Sequence, residues 1–114
     1  MSQDYVPDAG HVIWIDFDPQ AGREQRGHRP ALVLSPASYN AKTSLLLACP
    51  ITASAKGYPF EVALRSTPSA KGVVLSDHVK SLDWRARRAR FKARATSQTT
   101  QAVREKLATL LGGV

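Results

Sequence analysis

Apolar and polar positions alternate with a period of two through most of the chain, and the period changes near the C-terminus. His11-Val12-Ile13-Trp14-Ile15-Asp16-Phe17 is rich in β-branched and aromatic residues and reads as a first strand. Ile13, Ile15 and Phe17 fall on one face of it, and Trp14 and Asp16 on the other. Residues 18–27 collect Pro19, Gly22 and Gly27 among Gln, Arg and Glu, a long polar loop of the kind that often carries function. Residues 30–35 form a second strand, with Pro30 expected only at its start, where the missing N–H breaks no ladder. Residues 36–43 read as a turn with a single helical turn at most. Residues 44–50, apolar after Ser44, predict a third strand buried on both faces. Residues 51–58 read as a loop, and 60–64, 72–75, 78–82 and 91–96 as four further short strands.

After residue 96 the pattern becomes helical. Val103, Leu107, Leu110 and Leu111 lie at i, i+4, i+7 and i+8 on one stripe, with Ser97 as N-cap and Gly112 as the stop. Short strands separated by turns and closed by one helix predict a small, partly open β-barrel. At 114 residues, of which 43 % are hydrophobic, the chain makes one domain, 1–114, able to bury a core without staples. The lone Cys49 excludes an internal disulfide and fits a reducing cytoplasm. Neither a secretion signal nor a membrane-spanning run is recognisable. The longest apolar stretch, 45–50, is far below the ~20 residues that cross a bilayer.

Charge narrows the choice of partner. Sixteen basic residues oppose nine acidic ones, a net of +7. Four of the acidic residues (Asp4, Asp8, Asp16, Asp18) lie in the first twenty positions, where there is no Lys or Arg. Residues 21–114 therefore set all sixteen basic groups against five acidic ones, a net of +11. That balance favours a polyanion: nucleic acid or an acidic protein.

The densest chemistry is the run Gly22-Arg23-Glu24-Gln25-Arg26-Gly27-His28-Arg29-Pro30. Arginine forks match phosphate oxygens bidentately, and glycines let a backbone approach a ligand closely. A carboxylate repels a polyanion, so Glu24 among three arginines points to proton transfer, or else to local ion pairing on a solvated loop. Ser54-Ala55-Lys56-Gly57-Tyr58-Pro59-Phe60 mixes a cation with two aromatics. That suits a single-strand stacking platform, although Phe60, which opens a strand, serves equally as a core residue. Arg85, Arg87, Arg88, Arg90, Lys92 and Arg94 form a basic stretch spaced to line one face of a strand. It tracks a phosphate backbone, meets an acidic partner or is simply solvated. Asp16 and Asp18 lack a third nearby ligand of matching type, so no metal site is expected.

Several separated motifs, in order and in register, carry a family resemblance. They are Asp16-Phe17-Asp18-Pro19, Gly22, Glu24-Gln25, Gly27-His28-Arg29-Pro30-Ala31, Val33-Leu34-Ser35-Pro36, Tyr39-Asn40, Pro50, Thr52, Lys56 to Val62, Asp77-His78-Val79-Lys80-Ser81 and Trp84-Arg85-Ala86-Arg87. The chain resembles the MazF/PemK toxins, the endoribonuclease halves of bacterial toxin–antitoxin modules, and follows the MazF branch. The resemblance spans nearly the whole chain. It implies an SH3-like small β-barrel (PemK/CcdB-like) that is mainly β with a C-terminal helix. It further implies a two-fold homodimer, no cofactor, and metal-independent cleavage of single-stranded RNA at short motifs. The partner it implies is a MazE-like acidic antitoxin, with operator DNA met only through that antitoxin.

On this resemblance the catalytic residues are Glu24, Arg29 and Thr52. Candidate RNA-binding residues are Arg23, Arg26, His28, Lys56, Tyr58, Phe60, Asp77, Lys80, Arg85 and Arg87. The PemK branch also uses a histidine in the first loop and an arginine just before the Asp matching Asp77. Here those positions are Arg23 and Leu75, so the PemK assignment of acid and base does not transfer whole.

The residue types fit transesterification. The 2′-OH must lose its proton, the phosphorane oxygens need neutralising, and the 5′-oxygen needs a proton. Arg29 is a charge clamp and a poor base, since its pKa stays above ~12. Glu24 is the best base by type, and Thr52 can donate to a non-bridging oxygen. His28, one position from Arg29 on an extended strand, is expected on the opposite face. Two other classes share such a sequence: a non-catalytic CcdB-like poison, and a basic RNA-binding barrel without chemistry.

Overall fold

The computed structural model describes residues 4–17, 28–65 and 70–113. Its elements run β1 (His11–Asp16), β2 (His28–Val33), α1 (Ala37–Thr43), β3 (Leu45–Thr52), β4 (Glu61–Ala63), β5 (Val73–Leu75), a 3₁₀ turn (Ser76–His78), β6 (Lys80–Asp83), β7 (Arg90–Arg94) and α2 (Ser97–Leu110). Every strand pairing is antiparallel, in the order β4-β5-β3-β2-β1-β7, with β6 also paired to β3. The sheet curls without closing on itself, and α2 packs through Val103 against one of its faces.

Both faces of the central strands are covered, by two different cores. Ile13, Ile15 and Phe17 of β1 and its end meet Ala31 and Val33 of β2, Leu46 and Ala48 of β3, and Leu82 and Trp84, inside the curl of the sheet. Val12, Leu32, Cys49, Ile51, Val62 and Val74 form the second core, against Val103 of α2. Each fully buried Ile, Leu or Phe contributes about 1.5–3 kcal/mol, so both faces add to stability. The 84–89 turn bridges the open side of the curl. Trp84 N–H donates to Ser44 at 3.0 Å, and the Asp16 N–H donates to the Arg87 carbonyl at 3.0 Å. Asn40, wholly buried, ties α1 into this arrangement. Its side-chain amide nitrogen donates to the carbonyls of Pro7 and Ser35, and its main-chain carbonyl accepts from the Trp84 indole at 2.8 Å.

Several boundaries differ from the sequence expectation, each for a local reason. Residues 37–43 make a seven-residue helix, ended by Ser44 in the left-handed region at φ 64°. Strand β2 starts at His28, two residues before Pro30. Pairing with β3 begins only at Ala31, so on that edge Pro30 interrupts no ladder. Strand β3 continues to Thr52, because β5 pairs with Ile51 and Thr52 after β2 has ended. Nor is β3 buried on both faces throughout, since Leu47 is 41 % exposed. The N-cap of α2 is Thr96, whose hydroxyl accepts the Thr99 N–H at 3.1 Å. The helical stripe is buried only at its start. Val103 is enclosed and Leu107 packs partly, whereas Leu110 and Leu111 are exposed where α2 runs past the sheet.

Candidate active site

Antiparallel neighbours bring opposite chain ends together. At one end of the curled sheet β1 finishes, β2 begins and β3 finishes, and β6 begins short of that end, opposite Ala48. Alternation sets which side chains face the inside of the curl there. Arg29 shares a face with Ala31 and Val33, Thr52 with Ala48, and Lys80 with Leu82. Arg29 and Thr52 each stand two residues beyond the last β2–β3 pair, Ala31 opposite Pro50. Arg29 and Thr52 thus stand beside each other at the rim of the inner core, Arg29 exposed and Thr52 partly exposed, while Lys80 lies opposite Ala48, four residues back along β3. The 18–27 segment joins β1 to β2 at this same end. Arg23, Glu24 and Arg26 belong to it and lie outside the described residues.

Beside this rim is a hollow of about 350 Å³ lined by Thr52, Ser54, Lys56, Tyr58, Glu61, Leu75 and His78. The Thr52 hydroxyl oxygen accepts the Ser54 N–H at 3.2 Å. With that lone pair occupied, the hydroxyl proton remains to be donated outward. Lys56 is exposed and Tyr58 is 62 % exposed, as a cation and a stacking surface for a single strand require. Phe60 is partly buried, and its carbonyl accepts the Ser76 N–H at 3.0 Å, so it fixes the loop to the 3₁₀ turn. Asp77 is exposed and lies 3.8 Å from His78. Cys49, beneath this region, is inert as a nucleophile, because burial pushes its thiol up to about 12.

His28 occupies the other face, as strand alternation requires. Its ring stacks on Trp14 at 6.3 Å between centroids, and its Nδ1 lies 2.9 Å from the Asp16 carboxylate. That hydrogen bond is the main cause holding the Asp16 carboxyl below the usual carboxylate range; Arg88, 3.4 Å away, adds to it. Lys92 sits over the Trp14 ring at 4.6 Å. His28 is thus placed by Trp14 and Asp16, away from Arg29.

The basic stretch divides into parts. Arg85 stacks on Trp84 and reaches the Ala41 carbonyl at 3.4 Å, beside the start of β3. At ~3.3 Å per residue, the length of β3 separates that end from Thr52 by roughly 20 Å. Arg87 uses its guanidinium on the Asp16 carbonyl at 3.1 Å. Only residues 90–94 form the expected strand, with Arg87 and Arg88 in the preceding turn. The candidate RNA-binding residues expected from sequence are therefore not one surface on a single chain. Arg29, Thr52, Lys56 and Tyr58 lie at one end, with Lys80 farther back along β3, while His28 is on the opposite face and Arg85 at the far end of β3. Glu61 and His78, which line the hollow, were given no role from sequence. The signal available for Glu61 was a carboxylate beside Lys56 and Tyr58, the same incongruity that singled out Glu24. Among the described residues, no three His, Cys, Asp or Glu side chains converge as a metal site would need.

A family model described as the PemK-like, MazF-like toxin of type II toxin–antitoxin systems matches residues 8–111. The chain belongs to this toxin family. It is 52 % identical over 108 residues to the endoribonuclease toxin MazF of Escherichia coli K12, a match covering 95 % of this chain and 96 % of that one. It is 32 % identical over 106 residues to the Escherichia coli endoribonuclease PemK, covering 90 % and 80 %. The crystal structure of MazF from Deinococcus radiodurans superposes with a TM-score of 0.90 at 60 % identity, over 96 % of this chain and 99 % of that one. MazF within a MazE–MazF complex of the same organism superposes at 0.87 with 54 % identity, over 97 % and 100 %. This toxin family member thus has its relatives' fold along nearly its full length, and the Arg29–Thr52 rim is part of that shared fold.

Proposed function

We propose that the protein is a sequence-specific, metal-independent endoribonuclease toxin acting on single-stranded RNA in the cytoplasm. The observation that carries this reading is the placement of Arg29 beside Thr52 at the rim, next to a loop presenting Lys56 and Tyr58. Family membership and the endoribonuclease names of the relatives support the chemistry.

In the reaction, the Glu24 carboxylate takes the proton of the 2′-OH, and that oxygen attacks the adjacent phosphorus. Arg29 neutralises the non-bridging oxygens, where charge grows in the transition state, and the Thr52 hydroxyl donates a hydrogen bond to one of them. The bond from phosphorus to the 5′-oxygen breaks, and that oxygen takes a proton from Arg29 or from water. The products are a 2′,3′-cyclic phosphate and a 5′-hydroxyl. No step calls for a cofactor.

Solved MazE–MazF complexes support a MazE-like antitoxin as protein partner, with operator DNA reached only through it. The working unit is a two-fold homodimer, in which one self-complementary patch serves both subunits. A mixed single-stranded RNA incubated with pure protein in EDTA tests the chemistry. The expected result is cleavage with 5′-hydroxyl ends, whereas loss of cutting in EDTA or 5′-phosphate ends would overturn it.

A further inference from the structure

A carboxylate facing an RNA groove should weaken binding, yet Glu61 lines the hollow beside Thr52, Lys56 and Tyr58. Its hydrogen bonds explain its place. Glu61 Oε1 accepts the N–H of Gly57 at 3.0 Å, and the Lys56 N–H is shared between Oε2 at 3.0 Å and Oε1 at 3.2 Å. The main chain closes the same turn, the Glu61 N–H donating to Tyr58 at 3.1 Å. Lys106 of α2 braces it from outside, its Nζ donating to the Pro59 carbonyl at 2.6 Å. Its other ties lie at its two ends, the Ser54 N–H on the Thr52 hydroxyl and the Phe60 carbonyl on the Ser76 N–H. Residues 53–59 are all exposed, and nothing approaches the position of a β-carbon on Gly57. Lys56 and Tyr58 keep their places because one carboxylate grips the backbone between them.

We propose that Glu61 is a positioning residue for the nuclease, a clamp that holds the 53–60 loop so that Lys56 and Tyr58 meet the RNA strand flanking the scissile phosphate. The inference rests on the endoribonuclease reading above. It gives Glu61 a sign opposite to simple electrostatics. If Glu61 were only a negative charge near the groove, removing it would tighten RNA binding. As a clamp, its removal frees the loop, and RNA must then pay the ordering entropy on binding.

The test uses the full-length protein and two oligonucleotides of one sequence. One is a cleavable RNA, and the other carries a 2′-deoxy sugar at the scissile position, so that it binds without reacting. Glu61→Ala is expected to raise KM and weaken the uncleavable strand roughly tenfold, the scale of losing hydrogen bonds to a charged acceptor, with kcat nearly unchanged. Glu61→Gln, which retains one oxygen for both N–H groups, should recover part of the loss. Amide exchange at Lys56 and Gly57 should speed up in Glu61→Ala, with the β3 amides unaffected. Combined with Tyr58→Ala, the effects should be less than additive, because Glu61 acts through Tyr58. Tighter or unchanged binding by Glu61→Ala, or a fall in kcat alone, overturns the clamp. A wild-type protein that cuts no RNA overturns the nuclease reading instead, and the amide exchange still reports on the clamp.

Discussion

Gly72 packs so tightly on Thr52 that a β-carbon at Gly72 would overlap the Thr52 carbonyl oxygen. The Gly72 backbone is at φ 116°, where other residues are strained. Strand β5 needs this approach, since Val73 pairs with Thr52 in the next register position. Gly72→Ala must therefore either push Thr52 outward or open the β3–β5 ladder. Expected outcomes are a stability loss of more than about 1 kcal/mol and a cleavage rate that falls further than the loss of folded protein explains. A thermal melt read beside the rate constant checks both.

The site residues separate by what they do to the reaction. Arg29→Ala removes a charge contact made in the transition state and should slow cleavage on the order of 10²–10³, by comparison with lost oxyanion donors. Thr52→Ala should cost less, since a neutral hydroxyl donor is weaker than a charged one. Glu24→Gln removes the base while keeping the shape. All three variants should fold, because Arg29 is exposed, Thr52 is at a strand end, and Glu24 belongs to the polar segment between β1 and β2. His28→Gln is the control, expected to retain measurable cutting because the His28 ring is held by Trp14 and Asp16 on the far face. Single-turnover rates decide, and near-normal cleavage by Arg29→Ala would remove Arg29 from the mechanism.

Much of this was legible in the sequence, and the limits have physical causes. Strand β1 was readable because Ile13 and Ile15 face one core and Val12 the other, which demands a dense β-branched run. The distance between Arg85 and Thr52 was not. A basic run looks continuous in sequence, but the 84–89 turn carries the chain across the open side of the curl, spending Arg85 on Trp84 and Arg87 on the Asp16 carbonyl. Helix α1 was underestimated because its residues are polar and its anchor, Asn40, is buried by hydrogen bonds to distant Pro7 and Trp84. The Glu61 clamp escaped notice because its partners are backbone N–H groups, which leave no mark on side-chain composition.

Stability should depend on pH through His11. This ring is buried, stacks near Tyr5 at 5.8 Å between centroids, and has Arg94 3.3 Å from its Nε2. Burial first, and the Arg94 charge second, lower its pKa, while Asp8 opposes the shift weakly. The folded state therefore favours neutral His11. Above the unfolded value of ~6.5 both states are neutral and nothing is lost. As pH falls below that, the unfolded chain takes up the proton first, and stability declines until pH passes the lowered folded pKa. Melting temperatures measured from pH 7.5 to about pH 5 should fall, and His11→Gln should flatten the slope. An equal slope in His11→Gln would show that His11 does not carry the dependence.

Inhibition by an antitoxin tail should be competition for the rim. The 21–114 portion carries a net of +11, and among the described residues Arg29 and Lys56 at the rim, with Lys80 farther back along β3, are basic groups that a strand of phosphates would meet. An acidic, flexible segment can imitate that strand and order itself along the same groove. Both ligands should weaken as salt rises, RNA with a log–log slope of roughly −0.7 per phosphate contacted. Aromatic or aliphatic anchors in the tail would find Tyr58 and the apolar wall at Leu75, contacts that salt does not screen. The tail should therefore keep inhibiting at salt concentrations that already slow cleavage. Lys80→Ala should lower the RNA slope by about one phosphate contact, a change of ~0.7. Arg85→Ala, at the far end of β3, should change it only if the second subunit of a dimer brings its Arg85 to the groove. A fluorescent RNA titrated with an acidic tail peptide measures all of this. Simultaneous binding of the two, without mutual loss of affinity, would show that the tail inhibits from another surface and would leave Arg29 and Lys80 to RNA alone.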